Sequence, residues 1–311
     1  MLPLRSPIAV LVAVAAVAAL AGCAPSARAA ARARGQLLVV TSVYPLQFVA
    51  ERVGGDLVHV VDVARPGAEP HELELKPRDV AAVEDADLIV YLGGLQPAVD
   101  KAVASSASRH ELDVAPAARL DLAAADEPVP PGAPHADATS SSDPHFWLDP
   151  IRLADVADAV ARRLGQVAPA DAGAFRASAA ALRGELLDLD GELRAGLQSC
   201  RSRSLVTAHE AFGYLARRYG LQQLGVTGLD PEAEPDAAEL GRVAEFVRRE
   251  GVRTVYTETL ASPDVARALA AETGATTAVL DPVESRPDDG GDYLTALRAD
   301  LATLRIGQEC S

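Results

Sequence analysis

The chain has 311 residues, enough for two domains of ordinary size, and its 49% hydrophobic and 23% charged residues are typical of a globular protein. The formal net charge is −15, from 44 acidic and 29 basic residues, which argues against a nucleic-acid partner because a phosphate backbone requires a basic surface. The same charge is compatible with a protein that handles cations and with one that is merely soluble.

The N-terminus is typical of an exported lipoprotein. An apolar run over residues 8–23 is too short for a comfortable membrane span and ends in "LAGC", which resembles a bacterial lipobox. We therefore expect residues 1–22 to be a signal peptide and Cys23 to carry lipid at the outer face of the cell membrane. An ordinary export signal, with a periplasmic product, is the alternative. Residues 23–35, rich in Ala and Arg, are predicted to be a tether.

Two cysteines remain besides the one in the lipobox. Cys200 and Cys310 lie in a chain predicted to be exported, where thiols tend to be oxidised. They are therefore expected to form one disulfide.

Residues 36–150 are predicted to form an N-terminal lobe of alternating strands and helices. The strands are "LLVVTSV", "VHVVDV", "DLIVYLGG" and "HELDVA", and helical patterns separate them. Apolar strands that alternate with helices indicate a parallel sheet covered by helices. Residues 123–143, rich in Pro, Ala, Ser and acids, interrupt the pattern and are predicted to be a mobile surface loop.

The second half repeats this organisation after a helical connection over residues 151–198. Its longer helix is predicted from about Pro169 to Leu197, because apolar residues recur at helical spacing without proline. Residues 199–311 then form a C-terminal lobe with the strands "RSLVTAH", "LQQLGVTG", "VRTVYTET" and "ATTAVLDP". The sequence thus predicts two similar α/β lobes with parallel sheets, joined by a long rigid helix, with the functional site in the cleft between them.

Four residues stand at strand ends or loop edges that could face this cleft: His71, His145, His209 and Asp281. Three imidazoles and one carboxylate form a donor set that suits tetrahedral Zn²⁺. Each residue also has a structural interpretation, since a single histidine at a strand end often makes a local hydrogen bond, and Asp281-Pro282 is also a common turn.

The stretch "SSSDPHFWLDP" contains His145 and the one tryptophan of the chain. We interpret Phe146, Trp147 and Leu148 as a hydrophobic anchor for the end of the predicted mobile loop. Such an anchor would hold the imidazole of His145 toward a metal ion.

Several motifs resemble one family of transport proteins. "PGAEPHELELKPRD", "PHFWLDP", "VTAHEAFGYLARRYGL" and "LDP" occur in the same order as in the zinc-binding, ZnuA-like branch of the cluster A-I solute-binding proteins of bacterial ABC transporters. The resemblance extends from about Gln36 to the C-terminus. It implies two lobes joined by a long helix, with Zn²⁺ captured between them outside the cytoplasm and delivered to a membrane permease.

The resemblance also implies a set of ligands. His71, His145 and His209 match the histidine ligands of the family, and Asp281 matches the carboxylate that many members use as the fourth. Some members use water or another acid there, so Glu69 and Glu72 are possible substitutes. The predicted loop has one histidine, His135, whereas zinc members often have many.

The same residues suggest three alternatives to zinc uptake. The same scaffold could carry Mn²⁺ or Fe²⁺, although a nitrogen-rich site favours Zn²⁺. It could also serve as a metal-dependent adhesin. A zinc hydrolase is disfavoured, because the "HE" at His209-Glu210 lacks the second histidine four residues later, where Gly213 stands. We therefore expect a monomeric binding protein that is not an enzyme.

Overall fold

The computed structural model describes residues 26–106, 110–122, 142–260 and 262–311. The predicted signal peptide (1–22), the predicted lipidation site Cys23 and most of the predicted mobile loop, up to residue 141, lie outside the described residues. Within the described ranges, no helix combines the length and the apolar character that crossing a membrane requires.

Strands and helices alternate through both halves of the chain, as predicted. The strands are β1 Leu37–Thr41, β2 Val58–Asp62, β3 Leu88–Tyr91, β4 Glu111–Asp113, β5 Ser204–Thr207, β6 Gln222–Gly225, β7 Thr254–Glu258 and β8 Thr276–Leu280. The helices are α1 Ala27–Ala33, α2 Tyr44–Gly54, α3 Pro77–Asp85, α4 Pro97–Ser105, α5 Ala115–Ala118, α6 Pro150–Val167, α7 Ala172–Leu197, α8 Gly213–Tyr219, α9 Ala237–Glu250, α10 Asp264–Thr273 and α11 Tyr293–Gly307. Single 3₁₀ turns lie at Gly55–Leu57, Phe146–Leu148 and Pro169–Asp171.

The eight strands form two parallel sheets with the same strand order. The N-terminal sheet has the order β2-β1-β3-β4 and the C-terminal sheet the order β6-β5-β7-β8. Every strand pair in both sheets is parallel. The prediction of two similar α/β lobes is therefore confirmed. In such sheets the strand order reverses beside the first strand, and the crevice beyond the carboxyl ends of the strands is the usual place for a ligand.

The long helix α7 joins the lobes. It has 26 residues and spans about 39 Å at 1.5 Å per residue. Leu182, Leu186, Leu189, Leu193 and Leu197 are buried along it at helical spacing. They belong to one apolar core that also includes residues of both lobes, so the helix packs with the two lobes as a continuous unit.

Helix α1 differs from the tether predicted over residues 23–35. Its Ala-rich sequence favours a helix, and the side chain of Ser26 caps it by accepting a hydrogen bond from the backbone N of Ala29. Arg28 pairs with Asp87 at 2.7 Å, and Ala31 is fully buried against the N-terminal lobe. The second half of the predicted tether is therefore packed on the fold.

The predicted disulfide is confirmed. Cys200 and Cys310 are bonded across a sequence separation of 110 residues. The bond joins the chain just before β5 to the segment that follows α11. It therefore closes the C-terminal lobe on itself.

Candidate metal centre

The three predicted histidines meet in the cleft between the lobes. His71, His145, His209 and Glu284 each offer a ligand atom, and these atoms all lie within 4.8 Å of one another. Asp281 is not part of this group. The structure thus brings together three of the four side chains that the sequence singled out, and it places a different carboxylate beside them.

The spacing of the donor atoms can be compared with a zinc coordination sphere. The Nε2 atoms of His71 and His145 lie 3.2 Å apart, and Oε1 of Glu284 lies 3.3 Å from the first and 3.1 Å from the second. Ligands at about 2.0–2.1 Å from a tetrahedral Zn²⁺ are separated from each other by about 3.3–3.4 Å. These three separations are close to those of a tetrahedral site.

The donor groups are almost completely removed from solvent. His145 is fully buried, and His209 and Glu284 are 1% and 2% exposed. The side chain of His71 retains 15% exposure and is the most accessible of the four. A carboxylate buried in this way requires a positive partner, either a protonated imidazole or a cation.

His145 is held by the carboxylate of Asp143. Oδ1 of Asp143 accepts a hydrogen bond from the backbone N of His145 at 2.8 Å. The same oxygen lies 2.7 Å from Nδ1 of the His145 ring. A carboxylate on Nδ1 fixes the ring and leaves Nε2 free to bind a metal. Phe146, Trp147 and Leu148 follow in a fully buried 3₁₀ turn, which confirms the predicted hydrophobic anchor.

His209 follows β5 and is held from the neighbouring strand β7. Its backbone N donates to Oε1 of Glu258 at 3.0 Å, and its Nδ1 contacts Oε2 of the same carboxylate. Nε2 of His209 is buried without a hydrogen-bond partner among the described residues. This arrangement repeats that of His145, with the remote nitrogen left free for an ion.

His71 lies on the loop between β2 and α3. Its backbone N donates to the Glu69 carboxylate at 2.9 Å, and Gln96 Nε2 donates to the carbonyls of Pro70 and Ser42 at 3.1 and 2.8 Å. The carboxylate of Glu69 is thus engaged locally and Glu72 is exposed, so neither joins the ligand group.

Asp281, predicted as the fourth ligand, lies outside the group of donor atoms, and Glu284 stands beside the three histidines instead. Oδ1 of Asp281 accepts hydrogen bonds from the backbone N of Val283 at 2.8 Å and from Thr259 at 3.2 Å. Its own backbone N donates to Asp300 at 2.9 Å. Asp281 therefore shapes the turn after β8, and Glu284, three residues later, extends into the cleft.

This turn contains a strained residue. Val283 has a φ of 56°, a region that β-branched residues avoid. The side chain of Val283 is fully buried, and its backbone N is held by Asp281. Packing and hydrogen bonding together maintain a conformation that costs about 1–3 kcal/mol and that directs Glu284 toward the histidines.

The electrostatics of the four groups are coupled. Burial would lower the pKa of His145, but the carboxylates of Asp143 and Glu284 outweigh burial and raise it to about 10. Burial likewise opposes the charge on His209, whose pKa is nevertheless raised by Glu258. The two imidazoles at Glu284 hold its pKa well below the usual range despite burial. These shifts favour positive charge on the imidazoles of His145 and His209 and negative charge on Glu284.

Sequence reasoning missed three carboxylates: Glu284, Asp143 and Glu258. Asp143 could have been predicted from its position two residues before His145, because carboxylates that hydrogen-bond to metal-binding histidines are common. Glu258, at the end of β7, gave no such signal, since 49 residues separate it from His209. Glu284 could not be distinguished from Asp281 by its place in the same loop.

The fold and the site together define a two-lobed solute-binding protein with a candidate metal centre in its cleft. Residues 39–307 match the family described as "ZnuA: Zinc-uptake complex component A periplasmic". The chain belongs to this family.

Curated relatives agree with that assignment. The chain is 33% identical over 297 residues to the zinc-binding protein AdcA of Streptococcus pyogenes serotype M1, covering 88% of this chain and 56% of AdcA. It thus spans about half the length of that relative. It is 30% identical over 288 residues to the high-affinity zinc uptake system protein ZnuA of Bacillus subtilis, covering 90% of each chain.

Solved structures show the same architecture. The laminin-binding protein Lmb of Streptococcus agalactiae, described as bifunctional with adhesin and metal transporting activity, is 33% identical with a TM-score of 0.76, covering 88% of this chain and 99% of that one. The Zn(II)-bound ZnuA-like domain of Streptococcus pneumoniae AdcA is 31% identical with a TM-score of 0.71, covering 88% of this chain and all of that domain.

Proposed function

We propose that this protein captures Zn²⁺ outside the cytoplasm and delivers it to the membrane permease of an ABC transporter. In this proposal the ligands are Nε2 of His71, His145 and His209 and the carboxylate of Glu284. The observation that carries it is the convergence of these four donors, three of them buried, within 4.8 Å at the junction of the two lobes.

The chemistry of the donors supports zinc over manganese or iron. Three imidazoles and one carboxylate form a nitrogen-rich set, whereas Mn²⁺ favours oxygen ligands. Zn²⁺ also ranks well above Mn²⁺ for such donors in the Irving–Williams order. Cu²⁺ ranks higher still, but a tetrahedral arrangement does not suit its tetragonal preference.

The closed donor set supports transport rather than catalysis. A catalytic zinc site keeps one position open for water or substrate, whereas four protein ligands would complete the coordination sphere. The family assignment supports the same conclusion, because its members are components of an uptake system. We propose that the protein acts as a monomer, which size-exclusion chromatography with light scattering would test.

We propose that the mature protein is anchored by lipid on Cys23. The lipobox "LAGC" supports this placement. Mass spectrometry of the mature N-terminus should find a diacylglycerol-modified Cys23. A mature chain that begins downstream of it without lipid would contradict the anchor and leave a soluble periplasmic protein.

Metal analysis combined with competition titration tests the zinc proposal. Protein freed of metal should bind one Zn²⁺ per chain, with Mn²⁺ far weaker, when both compete with a chelating dye. His71→Ala, His145→Ala and His209→Ala should each weaken zinc binding severely, while His59→Ala, in strand β2, serves as the matched control. Equal affinities for Mn²⁺ and Zn²⁺, or full affinity in His209→Ala, would overturn the assignment.

Adhesion is a second candidate function, supported by the similarity to Lmb. Binding of the purified protein to immobilised laminin, measured with and without Zn²⁺, would test it separately. Saturable binding would add adhesion to metal capture, and no binding above that of an unrelated acidic protein would remove it.

A further inference from the structure

The segment that carries Glu284 is attached to the opposite lobe on both sides of the glutamate. On one side, Nε1 of Trp147 donates a hydrogen bond to the carbonyl of Pro282 at 2.8 Å. On the other side, the backbone N of Gly67 donates to Oγ of Ser285 at 2.9 Å. Residues 282–286 belong to the C-terminal lobe, whereas both donors belong to N-terminal parts of the chain.

The next residue, Arg286, adds a charged contact across the cleft. Its Nη2 donates to both carboxylate oxygens of Glu51, at 2.9 and 2.7 Å. Its guanidinium carbon lies 5.3 Å from the ring centroid of Tyr44. Glu51 and Tyr44 are both on α2 of the N-terminal lobe, so a cation of one lobe is held by an acid and an aromatic ring of the other.

A second acid acts electrostatically on the same guanidinium. Asp62 ends strand β2, and burial raises its pKa to about 7 while the nearby Arg286 lowers it. Arg286 thus interacts electrostatically with two acidic side chains of the N-terminal lobe, Glu51 and Asp62.

We infer that Arg286 is a positioning residue for Glu284, and that its ion pair with Glu51 holds the two lobes together and slows release of the bound metal. The inference rests on the proposed function, with Glu284 as a ligand. Arg286 lies two residues after Glu284, whose carboxylate faces His71 and His145.

The burial of the donors gives the physical reason. We expect an ion bound among side chains as buried as His145, His209 and Glu284 to leave when the lobes separate, which would take Glu284 away from His71. The same movement must break the contact between Glu51 and Arg286. Because the pair bridges the two lobes, its loss should act on the rate of release and leave the rate of capture nearly unchanged.

The chain offers a matched control pair. Arg298 on α11 donates to both oxygens of Glu192 on α7, at 2.7 and 2.9 Å, without crossing the cleft. The side chains of Arg298 and Glu192 are 42% and 43% exposed. These values are close to the 41% and 38% of Arg286 and Glu51. Arg298→Gln therefore removes an equivalent ion pair elsewhere.

The experiment measures zinc capture and release separately by stopped flow, with a chelating dye and with Zn²⁺ alone as the ligand. Arg286→Gln and Glu51→Gln should each speed release about two- to fivefold, because partly exposed ion pairs contribute little. The double variant should be no faster than the single ones, and Arg298→Gln should match the wild type. Capture rates should stay unchanged, and the thermal stability of the metal-free variants should match that of metal-free Arg298→Gln, which loses an equivalent ion pair.

The outcomes separate this inference from the proposed function. A wild-type protein that binds no zinc contradicts the proposed function itself. If the wild type binds one Zn²⁺ but Arg286→Gln releases it at the rate of Arg298→Gln, the positioning role is wrong. The role is also wrong if Arg286→Gln speeds release while Glu51→Gln does not, or if both variants mainly slow capture.

Discussion

Trp147 and Pro282 are joined by a hydrogen bond of 2.8 Å, from the indole Nε1 to the carbonyl oxygen, which links the segment of His145 to the segment of Glu284. The carbonyl of Trp147 in turn accepts a hydrogen bond from the hydroxyl of Tyr293 at 2.5 Å. The indole ring lies edge-on to the imidazole of His145, with centroids 5.4 Å apart. One buried tryptophan thus fixes two of the proposed ligands relative to each other.

Replacement of this tryptophan should affect both stability and metal binding. Trp147→Phe keeps an aromatic side chain but leaves the carbonyl of Pro282 without its donor, at a cost of about 1–3 kcal/mol in the free energy of unfolding. Zinc affinity should fall about tenfold, the lower end of what partners of ligands contribute. Urea denaturation and dye competition measure the two effects. Unchanged affinity would mean that Glu284 is positioned without this hydrogen bond.

The two carboxylates of the same loop should differ sharply on substitution. Glu284→Gln removes a proposed ligand and should weaken zinc binding more than about a hundredfold, beyond the range of indirect effects. Asp281→Asn keeps the acceptor for Val283 and should stay within about threefold, or less than 1 kcal/mol. Isothermal titration calorimetry of both variants measures their zinc affinities and shows which carboxylate binds the ion. A larger loss in Asp281→Asn than in Glu284→Gln would restore the ligand inferred from the sequence.

The acids behind the imidazoles should tune affinity without binding the ion. Asp143→Asn and Glu258→Gln each remove a carboxylate from the Nδ1 side of a histidine, and each should lower zinc affinity about 10–100-fold. The stoichiometry should remain one Zn²⁺ per chain, as measured by metal analysis. A loss of stoichiometric binding in either variant would indicate that the carboxylate itself is a ligand.

Metal-free protein should lose stability as the pH rises above neutrality. The pKa of His145 is about 10 in the fold against 6.5 in the unfolded chain, so the native state binds more protons between these values. The stabilising contribution is complete below pH 6.5 and is lost as the pH rises toward 10. We therefore expect the Tm of the metal-free protein to fall across this window.

The zinc-loaded protein provides the control for this pH effect. Zn²⁺ replaces the protons of the site, so the Tm of the zinc-loaded protein should change less between neutral and alkaline pH. Zinc binding should also release protons. Asp143→Asn should flatten the decline of the metal-free protein, because Asp143 is the first of the carboxylates that raise the pKa of His145. Equal slopes in the wild type, the variant and the loaded protein would contradict the coupling.

The disulfide should stabilise the C-terminal lobe without affecting the metal. Loss of a cross-link that spans 110 residues should cost about 4–5 kcal/mol in the chain-entropy description. The paired variant Cys200→Ser/Cys310→Ser should unfold at lower urea concentration. Its zinc affinity in the folded state should be unchanged, because Cys200 precedes β5 whereas His209 follows the opposite, carboxyl end of that strand. A weakened affinity would reveal coupling through the lobe.

Much of the fold could be predicted because its signals are local. Short apolar runs such as those of β1 and β7 indicate strands. The segments between such runs have apolar residues at helical spacing, which indicates helices. The repeated alternation then implies two parallel sheets, and the apolar spacing along α7 implies a long connection. The three histidines were identifiable because each follows a strand or marks a loop edge, where the chain faces the cleft.

The sequence by itself determined the two lobes, the connecting helix, the disulfide and three nitrogen donors, because each depends on neighbouring residues, composition or cysteine count. The tertiary structure decided which carboxylate lies beside the three imidazoles. Asp281 and Glu284 lie three residues apart in one loop, and only the turn at Val283, fixed by burial and by the amide contact to Asp281, directs Glu284 inward. The supporting contacts of Glu258 with His209 and of Arg286 with Glu51 join residues 49 and 235 positions apart. Such pairs form through the packing of whole strands and lobes, for which no local pattern of residues gives a signal.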